Sequence, residues 1–94
     1  MVLALTLTAP AFANERCEAL ADVIYTIATQ RDAGAGRREM RSRVIQNVDK
    51  SMRDAFLAMV DLVFSKPHHD PETESNLFYR ECIQRTGTQT GLSL

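Results

Sequence analysis

Tryptophan is absent, aromatic residues make up only 6% of the 94 positions, and glycine and proline number four and three. With 45% hydrophobic and 24% charged residues, that scarcity of chain breakers excludes disorder throughout and fits one small globular domain. An excess of either charge is missing too: eleven Lys and Arg stand against twelve Asp and Glu, the net charge is -1 and the pI is near 6.1. General attraction to nucleic acid or to an anionic membrane is therefore excluded, since nonspecific phosphate binding needs a large basic excess. Long hydrophobic runs are lacking as well. The longest apolar stretch, at the start of the chain, falls short of the ~20 residues a membrane-spanning helix requires. Cysteine occurs twice, at positions 17 and 82.

That opening stretch, "MVLALTLTAPAFA", carries no charge and ends in Ala11-Phe12-Ala13, the small-residue pattern of signal peptidase cleavage. Residues 1–13 read as a signal peptide, with Asn14 as the first mature residue. No Lys or Arg precedes the apolar run, and its length falls short of the usual ~15 to 30 residues, so the expected true start of the signal lies upstream of Met1. The alternative is an ordinary first helix or strand interrupted by Pro10. Glu15 and Arg16 beside Cys17 do not fit a lipoprotein signal. Periplasmic or secreted release is the expected localisation.

From Asn14 the spacing predicts four helices and no strands. Asn14 is placed to cap the first, whose Cys17, Leu20, Ile24, Ile27 and Ala28 recur at steps of three and four. "RDAGAG" stops it, with Gly34 as the left-handed terminus. A second helix over 36–47 puts Met40, Val44, Ile45 and Val48 on one side. "NVDKS" either breaks the chain before a third helix or lies inside one long bent helix. The third, "SMRDAFLAMVDLVFS", carries a broad apolar stripe of Met52, Ala55, Phe56, Met59, Val60, Val63 and Phe64, and is the expected centre of the core. Asp70 as N-cap and Pro71 at the first helical position open the fourth helix over 71–86, which packs Phe78, Tyr79, Cys82 and Ile83 and is ended by Gly87. The expected domains are thus a signal at 1–13, a helical domain at 14–86 and a flexible tail at 87–94.

Short connections favour an all-α, four-helix up-and-down bundle. In that topology the start of the first helix and the end of the fourth share one end of the molecule, with Cys17 and Cys82 each about one turn inside and facing the core. A Cys17–Cys82 disulfide is then geometrically plausible and arithmetically the only intramolecular option. The competing reading is two reduced, buried thiols in a cytosolic protein.

No catalytic constellation stands out. His68, His69 and Asp70 could ligate a transition metal, but three or four ligands in fixed geometry are needed and no third cluster lies near, so neither a metal nor a cofactor is expected. "RDAGAGRREMRSR" holds five arginines against two acids. On a helical wheel Arg38 and Arg43 diverge and Arg41 falls beside the apolar stripe, which does not favour nucleic acid. The bundle topology instead brings Arg31, Arg37, Arg38, Lys66, His68 and His69 to one end, where they could recognise an acidic partner or anionic envelope group more strongly as the histidines protonate. Met52 and Met59 could serve an adaptable binding surface, with core packing the stronger reading. Leu77, off the apolar stripe, is the one candidate for dimerisation, which nothing else indicates.

The signal segment, the cysteine near each end of an all-helical chain, "RDAG" after the first helix and "LVF" before the last loop resemble short uncharacterised secreted proteins of proteobacteria. That resemblance implies an envelope location and supplies no activity. In size and single-disulfide layout the chain is also similar to periplasmic acid-stress chaperones of the HdeA type, with no motif match. The expected function is a noncatalytic periplasmic or secreted protein that binds another envelope protein, of inhibitor, immunity or accessory type. The alternative is an acid-stress chaperone that exposes its Met- and Phe-rich third helix at low pH; an enzyme is the least supported reading.

Overall fold

Four helices follow one another through short connections: α1 (Val2–Asp32), α2 (Arg37–Asn47), α3 (Lys50–Ser65) and α4 (Pro71–Ser93). The structure, a computed structural model, describes the backbone of residues 2–93 and the side chains of residues 14–85. Among the described residues there is no strand.

Local chemistry sets three of the breaks. Gly34 takes φ +109°, and its N–H donates to the Arg31 carbonyl while the Ala35 N–H donates to the Gln30 carbonyl, a Schellman motif that ends α1 where a glycine allows it. Val48 and Asp49 adopt extended backbone (ψ 136° and 142°), so α2 and α3 are two helices rather than one bent one. Asp70 Oδ1 accepts the Thr73 N–H at 2.7 Å, and Pro71 follows at the position where its missing N–H costs nothing.

Two boundaries differ from the expectation. The first helix begins at Val2 and passes through Pro10, so Asn14 is not a cap; proline removes one intrahelical hydrogen bond there without ending the helix. The fourth continues beyond Gly87 to Ser93, since a glycine within a helix costs only about 1 kcal/mol relative to alanine. The side chains of the proposed signal segment, 1–13, and of the proposed tail, 87–94, lie outside the described set.

The topology is up-and-down and closed by one disulfide. Cys17 and Cys82 are bonded, with Cα atoms 5.7 Å apart at a sequence separation of 65, and the Ser75 hydroxyl donates to the Ala21 carbonyl at 2.9 Å further along the same antiparallel pair. At the other end the last turns of α1 and α3 meet through Arg31, which sets those helices parallel. Closing a loop of that length stabilises the fold by about 4 kcal/mol in the chain-entropy account.

The core joins Ile24, Ile27 and Ala28 of α1, Met40 and Val44 of α2, and Met59, Val60 and Val63 of α3, with Phe56, Leu57 and Phe78 packed against them. Each aliphatic side chain buried this way contributes about 1.5–3 kcal/mol. Three residues assigned to apolar stripes are exposed instead: Ile45 (49%), Met52 (41%) and Ala55. Ile45 sits about 100° round α2 from Val44, past the edge of the contact with α3, and Met52 and Ala55 occupy the first turns of α3, whose buried residues begin at Met59.

Candidate functional site

The end of the molecule where α1 finishes and α4 begins is organised by one side chain. Arg31 lies on the line of Ile24, Ala28 and the next turn, so the α1 stripe that builds the core ends in a guanidinium only 7% exposed. Its Nη1 donates to the carbonyls of Val63 (2.8 Å) and Lys66 (3.1 Å), its Nη2 to the carbonyl of His69 (2.6 Å), and its Nε to Asp32 Oδ1 (2.9 Å). The Val63 and Lys66 carbonyls also accept the Lys66 and His69 N–H groups, so the guanidinium adds a second, charged donor to each and bonds the His69 carbonyl besides. Arg31 thus joins α1, α3 and the start of α4, and its charge is directed into the molecule.

Beside it, His69 Nδ1 lies 2.6 Å from Oε1 of Glu74, a residue only 2% exposed in the first turn of α4. A buried carboxylate is costly without a hydrogen-bonding partner, and His69 supplies one. His68 is exposed and meets His69 edge to face, ring centroids 4.4 Å apart. Asp70 is held below the ordinary carboxylate range by the hydroxyl and backbone N–H of Thr73. Among the described residues, no three His, Cys, Asp or Glu side chains come together as metal ligands.

Of the six residues expected at this end, Arg31, Lys66 and His69 are brought together through the Arg31 guanidinium, with His68 adjacent. Arg37 and Arg38 start α2 and turn elsewhere. Arg37 Nη2 (2.9 Å) and Arg41 Nη1 (2.8 Å to each oxygen) converge on Asp61 of α3, and hydrogen bonding from Arg41 first, then Arg37, holds the Asp61 carboxyl below its usual value. Arg43, on the opposite flank, pairs with Glu39 and Gln30. Arg38 makes no ion pair or hydrogen bond among the described residues.

Arg37, Arg38, Arg41, Ser42, Ile45 and Gln46 line an open depression of about 400 Å³ along the outer face of α2. Ile45 is its only aliphatic side chain, and Asp61 offsets one of its three positive charges. Chemically the face offers guanidinium donors beside a patch of exposed hydrocarbon, a combination suited to a carboxylate-bearing ligand with an apolar part. The wheel placed Arg41 beside the apolar stripe but gave no sign of Asp61, which comes from a different helix, and the role of Glu74 escaped notice although it lies four residues before Phe78 and eight before Cys82, on their stripe.

Compared with protein-family models, curated proteins and solved structures, the chain matches none.

Proposed function

We propose that this is a noncatalytic protein of the periplasm or secreted fraction that binds another envelope protein, of the inhibitor, immunity or accessory type. The observation that carries the reading is the outer face of α2, where an unpaired Arg38 and a half-exposed Ile45 lie in one open depression. A guanidinium with no partner in the fold and an accessible aliphatic side chain on one rigid helix offer a partner a charged and an apolar contact together. The titratable groups at the other candidate site, Arg31, His69 and Glu74, are engaged in holding the chain together. A disulfide fits an oxidising compartment, and among the described residues no helix is long and apolar enough to cross a membrane. The Ala11-Phe12-Ala13 pattern supports export through cleavage before Asn14.

The test is reciprocal co-purification after mild cross-linking: the tagged protein retains one partner in stoichiometric amount, and that partner, tagged in turn, retains it. Recovery of the protein alone in both directions contradicts the reading.

One observation favours the acid-stress alternative. Asp49, Asp61 and Asp70 are all held below the ordinary carboxylate value, by Ser51, by Arg41 and Arg37, and by Thr73, so the contacts they make weaken together in strong acid. A chaperone would bind the dye ANS and suppress client aggregation at pH 2 to 3; a protein that does neither is not one.

A further inference from the structure

We infer that the outer face of α2 docks an acidic amphipathic helix of the partner, its carboxylates taken by Arg38 and Arg41 and an apolar side chain by Ile45; this rests on the protein-binding function proposed above.

Position around the helix is the first argument. At 100° per residue Arg41, Ile45 and Arg38 fall within about 60° of one another, away from Met40 and Val44, which face α3. Along the axis Arg38 and Ile45 are about 10.5 Å apart, so a helix lying alongside meets arginines first and hydrocarbon about two turns later. A ligand helix with carboxylates at i and i+3 or i+4 and a leucine or similar residue at i+7 presents that sequence of contacts on one face.

Pre-organisation is the second. Asp61 holds Arg37 and Arg41 side by side, yet Arg41 uses only Nη1 on it, and Arg37 uses Nε and Nη2. Nε and Nη2 of Arg41, Nη1 of Arg37 and all of Arg38 make no hydrogen bond among the described residues, and the planar guanidinium groups of Arg38 and Arg41 keep a pair of donors each for a carboxylate. Because Asp61 offsets a single positive charge, the face is complementary to an acidic ligand. Asp61 is accordingly a positioning residue, and Arg38 the principal anchor.

Charge and apolar area together favour a protein over a membrane. A helix lying in a lipid interface needs a broad hydrocarbon face, whereas this depression holds one aliphatic residue. Nucleic acid is disfavoured by the net charge of -1.

The experiment places a benzophenone-bearing amino acid at position 46, within the depression, and in parallel chains at position 22 on the outer face of α1 and at position 84 on α4, and irradiates living cells. The inference expects cross-linking from position 46 into an acidic helical segment of a partner, reduced about tenfold or more by Arg38→Glu, and restored by a reciprocal Glu→Arg change in that segment. Circular dichroism melting of Arg38→Glu checks that the bundle is intact. Cross-links from positions 22 or 84 but not 46, or from 46 to lipid, nucleic acid or a second copy of the chain, overturn the inference while leaving protein binding itself to be judged; no protein adduct from any position counts against both.

Discussion

Arg31 Nη2 donates to the carbonyl oxygen of His69 at 2.6 Å, across 38 residues of sequence. With the bonds from Nη1 to Val63 and Lys66, this ties the last turn of α1 to the end of α3 and to the start of α4. Replacing Arg31 by methionine keeps much of the packed stem but removes the charged donor from all three part-buried carbonyls, leaving those of Val63 and Lys66 with one backbone N–H each. The expected loss is about 2–4 kcal/mol, read as a lower urea midpoint with an unchanged slope. Arg31→Lys recovers only part of it, because an ammonium cannot reach three carbonyls in the geometry of a planar fork.

The Cys17–Cys82 bridge is the counterpart at the opposite end. Reduction, or Cys17→Ser with Cys82→Ser, is expected to destabilise the bundle by about 4 kcal/mol. Thermal melts with and without reductant measure this directly, and coincident melts would show that the bond does not hold the fold.

Two isoleucines distinguish core from surface. Ile24 is fully buried, and Ile24→Ala is expected to cost about 2–5 kcal/mol in chemical unfolding. Ile45→Ala, at 49% exposure, is expected to change stability by less than about 1 kcal/mol while weakening partner binding. Equal losses of stability would place Ile45 in the core.

Acid sensitivity follows from the three aspartates. Each has a folded-state value lowered from about 3.8, so near that pH the unfolded chain binds more protons than the folded one and stability rises with pH. Their contribution is complete above the unfolded value and is lost as pH falls through the folded values. The melting temperature is therefore expected to hold steady from neutral pH down to about pH 5 and to fall below about pH 4. Asp61→Asn removes the Arg41 and Arg37 contribution and makes that decline shallower; an unchanged decline would show that Asp61 has no part in it.

Much of this arrangement is legible in the sequence because it depends on neighbours in sequence. Gly34 ends α1, Asp70 and Pro71 open α4, and the stripe through Met59, Val60 and Val63 marks the centre of the core. The Cys17–Cys82 pairing follows once the helix count fixes which ends meet. Periodicity does not report how far a neighbouring helix extends, so Met52 and Ala55 read as core although nothing covers them enough to bury them. Arg31 reads as surface charge by residue type, yet it continues the Ile24 and Ala28 line, and an arginine ending a core stripe is the signal that it satisfies buried carbonyls. The pairing of Arg37 and Arg41 with Asp61 depends on the α2–α3 register, which no local pattern contains.

Native mass spectrometry of the tagged protein drawn from the periplasmic or secreted fraction tests the central claim most directly. The expected result is a chain beginning at Asn14, lighter by the hydrogens of one disulfide, in a stoichiometric complex with a second protein that dissociates as salt is raised. A chain with free thiols that carries no partner at any salt concentration would contradict it.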